Sequence, residues 1–422
     1  MKRLQRILMI LTGIFWLGFI CCTLSVYAQE PFIIVIDPGH GGENLGAQYE
    51  GYTEKEMTMV VAMAMKEELE KYENVVVYLT HETDTDMSIK DRAAFAGEKN
   101  ADFLFCLHFN SSVNHNLYGA EVWVPAFGDY YVKGRQFAEI EMELLSGLGL
   151  YSRGIKTRLN DKGDNYYGIL RYCSKEGVPS ALIEHCHLDQ KNDKPFYQES
   201  EEQLKDFGRL DAEAAAKYLG LRSIKKGTDY SDYPKPAVAA PSGAVKPDKT
   251  PPEECSIEVL SIDESTGEAM VKMNARDADS YILYYNYSLN GGNTYSDLES
   301  WPRPVWDQSD TELTFTVQLP FEQEIELRTN AYNGFDVWTE SNIVTIPAIS
   351  KPAEESSFAE EEKAHYEELT YQPLEQDKEQ KQEEVFLILL IFFISLIMAA
   401  LIFAVINMLF RLKRNNKRRK RQ

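Results

Sequence analysis

Between residues 31 and 222, short runs of β-branched and aromatic residues alternate with segments whose apolar positions recur every three or four residues. FIIVI (32–36), VVVYLT (75–80), DFLFCLH (102–108), AEVWVP (120–125) and SALIE (180–184) read as strands. In KEMTMVVAMAMKEELEKY, Met57, Val61, Met65 and Leu69 fall at fourfold spacing on one face of a helix. The alternation predicts an α/β domain over 31–222, with a mostly parallel or mixed sheet covered on both faces by helices.

The pattern then changes. Residues 223–252 hold six prolines and almost no large apolar side chain, so they predict an extended linker without a core of its own. Over 253–348, IEVLSI, AMVKMN, YILYYNY, ELTFTV, EIELRTNAY and IVTIP are short strands separated by turn residues, which predicts a β-sandwich of about seven strands. Within it LRTNAYNGFDVWTESNIVTI (327–346) resembles the closing strands of a fibronectin type III or immunoglobulin-like module. Residues 349–384 are a Glu-, Gln- and Lys-rich second linker, and module and linkers together suggest a stalk. Residues 385–410 contain no charged side chain and are long enough to cross a hydrocarbon core of about 30 Å. They predict one membrane-spanning helix, and the basic tail 411–422 behind it is expected in the cytoplasm. At the other end, Lys2, Arg3 and Arg6, an apolar run and Val26-Tyr27-Ala28 predict a secretory signal over 1–28. The length of the run leaves an uncleaved signal anchor as the alternative. Lipidation at Cys21 or Cys22 is disfavoured by the large, branched residues before them.

Charge narrows the partners. The formal charge is −22, but the signal and tail hold eleven of the 44 basic residues and no acid, so the segment between them carries 33 basic against 66 acidic side chains. Such a surface excludes nucleic acid, whose binding rests on neutralising phosphates. It offers no pull toward an anionic envelope either, so the membrane tether is expected to set the location. Outside the signal, Cys106, Cys173, Cys186 and Cys255 form no CxxC pair and read as small buried hydrophobes rather than a disulfide framework.

Candidate chemistry gathers at the strand ends. In IIVIDPGHGGENLG, His40 follows the first strand among glycines that permit close approaches. His108 ends DFLFCLH, Glu184 ends SALIE, and Glu54 opens the first long helix. In an open α/β sheet the ends of successive strands converge on one edge, where ligands bind. Two histidines and a glutamate suit a catalytic zinc, because three protein ligands leave a position for water, and Glu184 would then remain to move protons. Each residue also has an ordinary explanation: a histidine after a strand is commonly a hydrogen-bonded loop residue, and a glutamate at a helix start is favoured by the helix dipole.

VIDPGHGGENLGA, EKEM, ADFLFCLHFNSS, RGIK (153–156), YGILR (167–171) and SALIEH, with LTHETDTDMSIKDRAAFAGEKNAD (79–102), together resemble the zinc-dependent N-acetylmuramoyl-L-alanine amidases of the LytC type. The resemblance covers about residues 31–220. It implies a peptidoglycan hydrolase that cuts the amide between N-acetylmuramic acid and the L-alanine of the stem peptide. It implies one Zn2+ on His40, Glu54 and His108, with Glu184 as the catalytic glutamate. Glu54 is preferred over Glu56 because the family's ligand precedes a lysine. Arg171 is a candidate for holding a substrate carboxylate or the oxyanion, against a plain structural ion pair, and Tyr166 and Tyr167 are candidates for lining the groove. EHCHLDQKND (184–193) departs from the family pattern. His185 and His187 would share a face opposite Glu184, as extra ligands or, more in keeping with the chemistry, as groups behind the ligands or at the substrate's edge. The competing reading is an inactive amidase-like module that binds wall or regulates a partner, and the β module is a further candidate for protein or wall contact. A catalytic domain outside a single plasma membrane, held by one C-terminal helix, suits a Gram-positive bacterium.

Overall fold

A computed structural model of the chain describes residues 30–352 apart from residue 306. The expected signal (1–28), the membrane span (385–410), the basic tail (411–422) and all but the start of the second linker lie outside the described residues. Among the described residues no helix is long and apolar enough to cross a membrane.

The first body is a six-stranded mixed sheet. Its strands are β1 (Phe32–Pro38), β2 (Val75–Leu79), β3 (Phe103–Asn110), β4 (Ala120–Trp123), β5 (Ser152–Lys156) and β6 (Ser180–His187), in the spatial order β2-β1-β3-β6-β4-β5. All neighbours are parallel except β6 and β4. The chain between β3 and β4 holds no helix, so it turns back at the same end of the sheet, and β4 runs antiparallel. Strand β5, whose residues were noted only as part of the RGIK motif, has too few apolar side chains to stand out by pattern.

Alternation along the strands feeds two cores. Ile34, Ile36, Phe103, Phe105 and Leu107 face helices α1 (Glu54–Leu69), α3 (Gly128–Leu148) and α5 (Glu201–Leu219). Val35, Leu104, Cys106 and Leu182 face α2 (Ile89–Glu98) and α4 (Gly168–Glu176). The four cysteines among the described residues are free, and Cys106, Cys173 and Cys186 are buried.

The second body is a sandwich of eight described strands. One sheet holds β7 (Glu254–Asp263), β8 (Glu268–Arg276) and β11 (Glu312–Gln318). The other holds β10 (Glu299–Ser300), β9 (Ile282–Ser288), β12 (Ile325–Asn333) and β13 (Trp338–Glu340), with β14 (Val344–Ile346) also paired to β12. Two-residue β10 is too short to register as a periodic run.

The two bodies pack directly on each other, which the sequence pattern did not lead us to expect. Leu283 and Tyr284 of β9 cluster with Tyr118 beside β4. The Tyr151 hydroxyl donates to the carbonyls of Leu283 and Trp301, the Tyr281 hydroxyl donates to the Arg153 carbonyl, and the Tyr118 and Ser300 hydroxyls are 2.7 Å apart. The first linker is likewise no free coil. After a small hairpin at 222–229, Tyr230, Tyr233, Val238 and Val245 pack against the larger core. The strap is fastened by Val245 N to Ala126 O (2.9 Å), Thr157 Oγ1 to Val245 O (2.7 Å) and Gln136 Nε2 to Pro236 O (3.0 Å). A segment too poor in apolar residues to form a core still lies down on an existing one, because a few side chains and satisfied backbone groups suffice.

Candidate metal centre and active-site cleft

His40, Glu54 and His108 converge at the carboxyl ends of β1 and β3. One donor atom from each lies within 4.8 Å of the others. Glu54 Oε2 is 3.0 Å from His40 Nε2, Oε1 is 2.9 Å from His108 Nδ1, and the imidazole rings meet edge to face with centroids 4.9 Å apart. The glycines make this approach possible. A Cβ at Gly39 would stand 2.5 Å from His108 Cε1, and one at Gly46 would stand 2.5 Å from Glu54 Oε2.

The surroundings hold each donor in place. His40 sits in the left-handed region at φ 68°, and Arg92 fixes that turn by donating to the carbonyls of Pro38 (2.7 Å) and His40 and to Asp37 Oδ1 (2.8 Å). His40 Nδ1 is 2.9 Å from Asn44 Oδ1, which orients the ring and leaves Nε2 toward the cluster. Each oxygen of Glu54 receives a backbone N–H, from Ala47 at 2.7 Å and Phe109 at 3.0 Å. Burial would raise the Glu54 carboxyl, yet the hydrogen bonds and charges of His108 and His40 hold it well below the usual carboxylate range. Burial pulls His40 down, but its bond to Glu54 and that carboxylate's charge outweigh this and hold the imidazole above its ordinary value. Glu56 is exposed, about half a turn round the helix from Glu54. Two imidazole nitrogens and an ionised carboxylate, pre-oriented and closely grouped, fit a zinc ion by the chemistry of the donor set.

Glu184 pairs in register with His108 on β3 and with Glu121 on β4. It is 8% exposed, and its Oε2 has no hydrogen-bond partner. Burial, then the charges of Glu54 and Glu121, push its carboxyl well above the usual range, with Arg153 opposing. His40, Glu54, His108 and Glu184 line one cleft of about 560 Å³, together with Asn110 and Tyr167.

The remaining candidates take separate places, His185 standing behind His108. Arg171 is not among the residues lining this cleft: its Nη1 donates to the carbonyls of Asn165 (2.6 Å) and Tyr166 (2.9 Å), so it braces the loop that presents Tyr167. His185 points into the core, where Nδ1 donates to the His108 carbonyl (3.0 Å) and Nε2 meets Asp211 (3.0 Å). His187 Nδ1 is 3.2 Å from the Gly119 carbonyl, so neither histidine joins the metal group. Tyr167 lines this cleft, and Tyr166, 45% exposed beneath the Arg158 guanidinium, lines an adjoining groove instead.

Sequence reading missed Asn44, the Asp37–Arg92 pair and a buried charge group on the β4 side, where Glu121 Oε2 accepts from Arg153 (2.9 Å) and Lys156 (2.8 Å). Burial opposes ionisation of Glu121, but these two cations hold its carboxyl well down. RGIK carried the signal for it, as two cations on one strand beside a strand with a glutamate.

Comparison with known proteins bears on residues 34–214, which match the family model Amidase_3, N-acetylmuramoyl-L-alanine amidase. The Amidase_3 domain, residues 34–214, is the part of the chain that is similar to this family. It is 33% identical over 141 residues to a probable N-acetylmuramoyl-L-alanine amidase AmiB of Haemophilus influenzae, covering 32% of each chain. It is 31% identical over 162 residues to N-acetylmuramoyl-L-alanine amidase CwlM of Bacillus licheniformis, covering 38% of this chain and 58% of that one. The chain therefore spans between about a third and three-fifths of these relatives' length. Among solved structures, an N-acetylmuramoyl-L-alanine amidase from Clostridium difficile 630 is similar at 26% identity and a TM-score of 0.38, covering 45% of this chain and 98% of that one. The Amidase_3 domain ends before the strap and the sandwich begin.

Proposed function

We propose that the chain is a zinc-dependent N-acetylmuramoyl-L-alanine amidase that hydrolyses the amide joining N-acetylmuramic acid to the stem peptide of peptidoglycan. The observation that carries this is the convergence of His40, Glu54 and His108 in one cleft with a buried, partnerless Glu184. His40 Nε2, His108 Nδ1 and a Glu54 oxygen would hold the ion. Zinc there supplies Lewis acidity, polarising the scissile carbonyl and making water a better nucleophile. Glu184 takes the proton from the attacking water and returns it to the departing L-alanine nitrogen, since an amide nitrogen leaves poorly unless protonated. Burial and the charges of Glu54 and Glu121 raise its carboxyl above the usual range, which suits a group that must hand a proton on. Gly39 and Gly46 keep side chains out of the space against the ligands.

We further infer from the sequence that residues 1–28 direct export and that 385–410 anchor the protein in the plasma membrane, with the amidase domain outside. The test is incubation of the purified protein with intact peptidoglycan, mass spectrometry of the products and metal analysis. Free stem peptides with uncut glycan strands and about one zinc per chain are expected. Cleavage at another bond, or no zinc in an active preparation, overturns the reading.

A further inference from the structure

A second groove of about 620 Å³ adjoins the cleft, and Asn110 and Tyr167 line both. One wall comes from the Amidase_3 domain, with Trp123, Arg158 and Tyr166. The other comes from outside the family match: Lys249 of the strap, and Phe335 and Val337 of the turn between β12 and β13. That wall is fixed rather than loosely apposed. Arg153 donates to Asp336 at 2.8 Å, Asn333 Nδ2 donates to Asp248 at 2.9 Å, and Asn333 Oδ1 receives the N–H groups of Phe335 and Val337.

The groove's charge is informative in so acidic a chain. Most of its carboxylates are engaged: Glu121 by Arg153 and Lys156, Asp336 by Arg153, Asp248 by Asn333 and Thr250. Among the described residues Asp161 has no ion-pair partner. Two cations lack a carboxylate partner among the described residues, Lys249 and Arg158, the latter lying 3.7 Å over the Tyr166 ring. The substrate leaves the scissile amide in two directions. On the glycan side the lactyl carboxyl is consumed in the amide, so that arm offers hydroxyls and acetamides, whereas the stem peptide carries free carboxylates. A tyrosine face already covered by a guanidinium is also a poor plate for a sugar.

Resting on the amidase reading, we propose that the strap and the β-sandwich form the second wall of a stem-peptide groove, in which Lys249 and Arg158 receive the peptide's carboxylates. The sandwich is then part of the substrate site and not a spacer. The test uses the full chain in detergent with two soluble substrates: a muramyl tetrapeptide with free carboxylates, and the same molecule with those groups converted to carboxamides. Wild type is expected to show kcat/KM about tenfold higher on the free acid, the size of one charge-assisted contact, expressed mainly in KM. Lys249→Glu is expected to abolish that preference. Lys225→Glu, the same charge change on an exposed turn that does not line the groove, is expected to keep it. Equal efficiency on both substrates in wild type, or a preference that survives Lys249→Glu, overturns the groove while leaving the amidase intact. Cleavage of neither substrate overturns both.

Discussion

Glu184 and His40 show what single residues contribute and how far the sequence discloses it. Glu184 was visible because it ends an apolar run, at the strand end where ligands of an open α/β sheet gather. Replacing it with glutamine keeps its volume and removes only the proton carrier. Glu184→Gln is therefore expected to lower the rate about 10²- to 10⁴-fold with zinc content and folding unchanged. Loss of zinc with the rate would show instead that Glu184 supports the metal. Asn44 was not visible, since an asparagine in a glycine-rich loop reads as turn chemistry. Its bond to His40 Nδ1 fixes which nitrogen faces the cluster. Asn44→Ala is expected to weaken zinc affinity about 10- to 100-fold by competition with a chelator, while activity at saturating zinc falls far less. Unchanged affinity would assign the ring's orientation to Arg92 and the backbone alone. The Asp37–Arg92 clamp escaped notice for a related reason: its partners are 55 residues apart, and only the closed sheet joins them.

At the scale of elements, the strands and helices of the Amidase_3 domain were largely legible, because their apolar periods are clean, while their polar fastenings were not. Behind the metal group, β6, α3 and α5 meet at His185, Glu141 and Asp211, each wholly buried. Asp211 receives the His185 ring, whereas neither oxygen of Glu141 has a donor. Burial first, then the Asp211 carboxylate beside it, push Glu141 well above the usual range, so the fold keeps its proton. The unfolded chain releases that proton above about pH 4.3. It follows that the folded state binds more protons there, and stability falls as pH rises from that point toward the folded pKa. Glutamine removes this liability. Glu141→Gln is expected to raise stability by about 1–3 kcal/mol at pH 8, with the gain shrinking as pH drops toward 4, in urea unfolding at several pH values. A gain independent of pH would mean that packing, not ionisation, was relieved.

For the molecule as a whole, the lesson lies in β9. A sandwich strand with one face in water alternates, as the partly exposed β7 does, but ILYYNYS is buried along almost its whole length. YILYYNY thus carried a sign that both faces are covered, one by the sandwich core and one by another body. Its reading as part of a stalk followed from the proline-rich segment before it, whose composition tells nothing of where it lies down. One buried fastening is Arg153, between Glu121 of the Amidase_3 domain and Asp336 of the sandwich, with Tyr284 Oη at 3.1 Å. Removing one member of such a group strands the others, which costs more than the group contributes net. Arg153→Met leaves Asp336 without its cation and Glu121 with Lys156 alone. The two bodies of wild type are expected to unfold in one calorimetric transition. In Arg153→Met, the loss of about 3–5 kcal/mol at the interface is expected to separate that transition into two, the first at least ~5 °C lower. Two resolved transitions in wild type would return the sandwich to the role of an independent module. Because the same turn carries Phe335 and Val337, loosening it should also blunt the preference for free carboxylates, tying the stability of the interface to recognition in the groove.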